Sequence, residues 1–168
     1  MTEQEFRAFY PVVFGWVQQT LRHYAAAARP VSSFGFQRLP NFYAADTLAN
    51  AKAVAVDKVP VPPLSAMGLE RFADFERMAA AGITYLDTYF LLADRVQDES
   101  LHFHELVHVI QWRILGPERF LWLYADGLER HGYRDSSLEV MAYDLQARFD
   151  ANEKPFEVSR EVVTQLLR

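Results

Sequence analysis

The segment His104-Glu105-Leu106-Val107-His108 carries residue types at a spacing that suits metal-assisted hydrolysis. On a helix, residues four apart lie one above the other on the same face. Two imidazoles placed this way can grip one ion from the same side, at about 2.0–2.1 Å each for zinc. Glu105 is offset around the helix, so its carboxylate reaches a water at the ion rather than the ion itself, and can take that water's proton. Zinc brings the pKa of such a water to about 7. The expected chemistry is therefore Zn2+-dependent hydrolysis with Glu105 as general base. The surrounding helix is apolar almost all round, with Leu101, Phe103, Leu106, Val107, Val109, Ile110, Trp112, Ile114 and Leu115. Such a helix is buried. Two histidines and a glutamate there are costly unless something compensates them, and a metal ion does so. The competing reading is a pair of hydrogen-bonded core histidines with a glutamate at a cleft edge.

A catalytic zinc site takes a third protein ligand and keeps a fourth position open. No further histidine follows at short range, where the chain reads WRILGPERF. Farther on stand His131, with Glu129 near it, and Glu139. Ser136 and Glu139 also have the spacing of a capping box, in which Glu139 would fold back on the Ser136 amide. Leu138 and Met141, as core residues, turn Glu139 inward. A group that stabilises an oxyanion is also needed. His131, Tyr133 and Tyr143 are candidates, and Arg134 has a weaker claim. Gln111 continues the ligand face, Trp112 lies one residue past it, and His102 faces away.

These side chains need elements to hold them. Residues 3–28 read as a helix with Phe6, Tyr10, Phe14, Val17 and Leu21 on one face, kinked or split at Pro11 and ended by Pro30. Residues 31–50 read as irregular. Lys52–Val61 alternates as a strand, and residues 67–80 suggest a helix stopped by Gly82. ITYLDTYFLL, residues 83–92, is the strongest strand. Asp98 or Ser100 caps a helix from about 100 to 115, with Asp98 and Glu99 favouring its N-terminal dipole. Gly116-Pro117 stops it. Helices follow over roughly 118–131 and 136–151. Pro155 opens a last one with Phe156, Val162, Val163 and Leu166 buried. The whole, residues 1–168, reads as a single α+β domain: an N-terminal helical segment (1–30), a sheet region (50–95), a metal-binding helical region (98–152) and a C-terminal helix (155–168).

HELVHVIQ, preceded by ITYLDTYFLL, resembles the zincin metallopeptidases, and most of all the minimal gluzincins of bacterial origin, whose active helix often reads HEL-x-HV-x-Q. The likeness covers about residues 83–150; the N-terminal half carries no matching motif. It implies a zincin-like fold, with a small sheet packed on the active helix and a returning helix that brings the third ligand. It implies Glu139 in that role, because Glu139–Ala142 matches a Glu-x-x-Ala pattern. It also implies that the strand before the active helix rims the cleft and pairs with an extended peptide or protein substrate, as in strand addition generally. Better-known gluzincins carry an aspartate one turn after the ligand glutamate. Here that position is Tyr143, with Asp144 one further on. The expected set is His104, His108 and Glu139 on zinc, Glu105 as base, and Tyr143 and His131 near the oxyanion. A non-catalytic, zinc-stabilised binding or regulatory module is the alternative.

Composition excludes other classes. The chain has 168 residues, is 51% hydrophobic and 14% aromatic, and so can fill a core. A net charge of −5 without any basic run argues against nucleic acid. There is no cysteine, which removes thiol ligands and disulfides and fits a reducing cytoplasm. No signal-peptide pattern and no long apolar run is seen, so a cytoplasmic protein without a membrane span is expected.

Overall fold

The structure, a computed structural model, describes residues 1–167. Helices and a small sheet make an α+β arrangement. The helices are α1 (Glu3–Tyr24), α2 (Ala45–Asn50), α3 (Ala73–Arg77), α4 (Glu99–His131), α5 (Ser137–Asp150) and α6 (Val158–Leu166). The strands are β1 (Arg29–Pro30), β2 (Lys52–Val56), β3 (Gly82–Tyr85) and β4 (Thr88–Leu92), in the order β1-β2-β4-β3. β2 and β4 run parallel; β1 and β3 are antiparallel to their neighbours and form the edges.

The expected single strand over residues 83–92 is a hairpin. Tyr85 pairs with Thr88 across a two-residue turn, Leu86-Asp87. Leu86 takes φ 58°, a value that hairpin turns normally assign to glycine or asparagine. The run of ten mostly apolar residues hides this turn because its first central residue is leucine.

The expected helix over 67–80 also breaks up. Gly68 adopts φ 78°, and only 3-10 turns and the short α3 form around it. Gly82 does not stop a helix but opens β3. The strand at 52 ends at Val56 rather than Val61. Residues 31–50 are not wholly irregular, since they hold two 3-10 turns and α2.

α1 runs through Pro11 without a split. Its buried residues are Phe6, Val13, Val17 and Thr20, so its inward stripe also takes in Val13, while Tyr10 and Phe14 are half-buried beside it. On α6 Val158 and Val162 are buried, while Val163 faces out.

α4 begins as expected, with Asp98 accepting from the Leu101 amide at 3.2 Å. The glycine-proline signal does not end the helix but bends it. Gly116 alone leaves helical geometry (φ 73°, ψ 166°), and a helix resumes at once. Trp112 and Phe120 stack across the break at 4.0 Å. The half before the break is buried on nearly every side, from His102 to Trp112. It packs between the sheet and α5, with Phe103 stacked on Phe149 of α5 and the Trp112 indole donating to the Thr84 carbonyl of β3 at 3.1 Å. Among the described residues no helix is long and apolar enough to cross a membrane.

A candidate metal centre

His104 and His108 point to the same side of α4, and α5 returns Glu139 to meet them. The three offer ligand atoms that all lie within 4.8 Å of one another, and all three residues are buried. The His104 and His108 Nε2 atoms are 3.2 Å apart. Glu139 Oε2 lies 3.4 Å from His104 Nε2, and Glu139 Oε1 lies 3.4 Å from His108 Nε2. This group could hold a metal ion.

The outer hydrogen bonds settle which ring nitrogens are free. Gln111 Nε2 donates to the Leu138 carbonyl at 3.0 Å, which turns its Oε1 to His108 Nδ1 at 2.8 Å. Gln146 Nε2 donates to the Ser100 carbonyl at 3.2 Å, which turns its Oε1 to His104 Nδ1 at 3.0 Å. A carbonyl accepts only, so each amide has one workable orientation, and each Nδ1 must carry the proton. Both neutral rings then aim a bare Nε2 lone pair at the other and at a carboxylate. Such a cluster of acceptors, with the Tyr124 hydroxyl on Glu139 Oε1 as a donor but none for the facing Nε2 atoms and Glu139 Oε2, is unfavourable in a buried site. Glu139 Oε2 is buried without any hydrogen-bond partner.

Charge leads to the same point. Glu105 and Glu139 are both buried beside the two rings, and in their ionised forms they place two negative charges there. A dication balances them. With only protons available, the same pull falls on the side chains. Burial opposes charging of His108, but Glu139 overcomes it and holds the ring up at about 9. Burial likewise acts to raise Glu139, yet His108 and His104 hold it well below the usual carboxylate range.

Glu105 stands on the cavity side of the centre. Thr84 Oγ1 of β3 donates to its Oε2 at 2.6 Å. Burial pushes its carboxyl up, against the pull of both imidazoles and of the Thr84 hydroxyl. Gly82 makes this close approach possible, since a Cβ there would collide with Glu105 Oε1. Tyr124, in the second half of α4, donates to Glu139 Oε1 at 2.8 Å.

The other sequence-predicted residues divide. The capping box does not form, for Ser136 makes no side-chain cap and Glu139 faces the histidines instead. His131 sits exposed at the end of α4, outside both the ligand group and the cavity beside it. The structure therefore does not bring His131 together with His104 and His108. Tyr143 packs its ring against His104 at 4.6 Å but does not line the cavity, whereas Tyr133 does. His102 is packed, bonded to Tyr89 Oη at 2.6 Å and to the Val96 carbonyl at 2.9 Å.

Gln146 carried no motif, and Tyr124 reads from sequence, with Phe120 and Trp122, as a core and interface aromatic rather than a site residue. Gln146 lies seven residues after Glu139, two turns along the same face of α5, and that spacing was the available signal. Replacing Gln111 or Gln146 with leucine is expected to weaken divalent-metal binding about 10–100-fold, measured by competition with a chromophoric chelator. Unchanged affinity in both would mean that the amides do not orient the rings.

No family model, curated protein or solved structure matches this chain.

Proposed function

We propose that this protein is a zinc-dependent metallohydrolase of the zincin type, a small peptidase, in which His104, His108 and Glu139 hold the ion. The observation that carries this reading is the spacing of the three donors. Ligands about 2.0–2.1 Å from a tetrahedral centre lie roughly 3.3 Å from one another; the two imidazole nitrogens here are 3.2 Å apart, each lies 3.4 Å from a different Glu139 oxygen, and one donor atom from each residue falls within 4.8 Å of the others. Two imidazoles and a carboxylate suit zinc among the common dications. Among the described residues the group has three members rather than four, which favours a catalytic over a closed structural site.

Zinc, when bound, supplies Lewis acidity toward a carbonyl oxygen and brings water deprotonation into the neutral range. The chain's own residues do the rest. Glu105 accepts the proton of the attacking water on its carboxylate and passes it to the leaving amine. Thr84 holds that carboxylate in place through the 2.6 Å hydrogen bond. Gln111 and Gln146 fix the tautomers. Of the tyrosines lining the cavity, Tyr85 and Tyr124 are engaged with the Pro60 carbonyl and Glu139, and Tyr133 is the one assigned to a developing oxyanion, in place of Tyr143 or His131. The edge strand β3 borders the cleft, as expected for a strand that receives an extended peptide. Its Thr84 carbonyl, however, is already bonded to Trp112, so strand addition there leaves that one acceptor out.

The test is to load the protein with zinc, incubate it with a diverse peptide mixture and identify products by mass spectrometry, with 1,10-phenanthroline as the control. Chelator-sensitive cleavage supports the proposal. Full zinc occupancy without any cleavage returns the protein to the alternative, a zinc-stabilised binding module.

Gly82→Ala probes the base more gently. The new methyl group displaces the end of Glu105 and presses on Leu91, at a stability cost of about 1–3 kcal/mol. Misplacing a catalytic group by about 1 Å can cost up to ~10²-fold. Hydrolysis is therefore expected to fall about tenfold or more with zinc retained. Unaltered turnover would show that this strand does not position the carboxylate.

A further inference from the structure

The N-terminal helix lies outside the stretch that resembles zincins, yet it forms a wall of the site. A cavity of about 90 Å³ adjoins the metal centre, and Glu105, His108 and Glu139 all line it. Away from them the lining is mostly apolar, with the hydroxyls of Thr84, Tyr10, Tyr85, Tyr124 and Tyr133 among it. Phe6, Phe9, Val13 and Val17 of α1 form one side, and Leu69 and Phe72 stand among the residues facing them. Among the described residues no lysine, arginine or aspartate lines it. A charged group placed away from the centre loses its water without gaining an oppositely charged partner. An apolar group gains by leaving water.

We propose that this cavity is a substrate chamber that takes one bulky apolar side chain adjacent to the scissile bond, and that Val13 and Phe9 of α1 set its length. The proposal rests on the hydrolase reading for the role of the chamber. It names the occupant from two facts: the cavity is continuous with the centre, and it offers charge nowhere else. Val13 is buried among Leu64, Leu69 and Phe72, deep in the wall. Phe9 is only partly buried, so it stands nearer the rim.

Aliphatic hydroxamates test both parts separately. Their head binds zinc and their tail enters the chamber. Titration calorimetry on zinc-loaded protein, from acetohydroxamate to octanohydroxamate, is expected to show affinity rising about fourfold per methylene until the chamber is full. Val13→Phe should end that rise at a shorter chain, and Phe9→Ala, which removes bulk at the rim, should extend it. A flat series with acetohydroxamate still bound overturns the chamber and leaves the metal centre standing. If acetohydroxamate itself fails to bind, the centre is what fails. The chamber is then read with n-hexanol and n-octanol on metal-free protein: binding that Val13→Phe abolishes upholds it, and no binding to the unmodified protein overturns it.

Discussion

Glu105→Gln is expected to keep zinc and lose hydrolysis. The substitution conserves shape and leaves the amide oxygen able to accept from Thr84, which now donates to Glu105 Oε2 at 2.6 Å. What it removes is the capacity to take a proton. General-base catalysis is worth about 10²–10⁴-fold, so kcat should fall by that factor. Metal content by elemental analysis should stay at one ion per chain, because Glu105 is not among the three residues that could hold the ion. The pairing of results is what discriminates. Lost activity with lost zinc would say that Glu105 serves binding, and full activity with zinc retained would remove it from the chemistry.

Much of this site was legible because helix geometry is local. The spacing of His104 and His108 fixes a shared face whatever surrounds it. The apolar stretch around them predicts burial, and residues His102 to Trp112 are buried. Glu139 was harder. The sequence offered a ligand and a cap at the same position, and only the packing of α5 against α4 decides between them. The stacking of Phe103 on Phe149 and the buried Leu138 and Leu145 belong to that contact.

What could not be read depends on long-range partners or on turns without their usual residues. The hairpin at Leu86 lacks a glycine, so the β-rich run continued through it unmarked. Recognising it changes the site, because it makes β3 an edge strand and puts Gly82 and Thr84 against Glu105. The orienting role of Gln146 depends on Ser100, 46 residues away. Tyr124 belongs to the site only because α4 bends at Gly116 rather than ending there. A stop signal and a bend signal share the same glycine-proline pair, and only the stacking of Trp112 on Phe120 across the break distinguishes them.

The largest stability effect is expected from zinc itself, and Glu139→Gln should remove most of it. An ion that binds only the folded chain stabilises it by RT ln(1 + [L]/Kd), or about 4 kcal/mol at a thousandfold excess over Kd. For a chain of this size each kcal/mol moves Tm by roughly 2–4 °C, so zinc should raise Tm by about 8–16 °C. The glutamine keeps the hydrogen bond from Tyr124, which reaches Glu139 Oε1 at 2.8 Å, but removes the charge and the ligand oxygen. Orienting residues alone are worth about 10–100-fold in metal affinity, and a direct ligand should exceed them. With Kd about a hundredfold higher, the same zinc concentration yields only about 1.4 kcal/mol, a shift of roughly 3–6 °C. Differential scanning fluorimetry with and without zinc measures both numbers. His131→Ala, on an exposed side chain outside the group, should leave the full shift intact. If the roles reverse, with Glu139→Gln keeping the shift and His131→Ala losing it, then α5 does not deliver the third ligand. The centre would then have to be rebuilt around the end of α4.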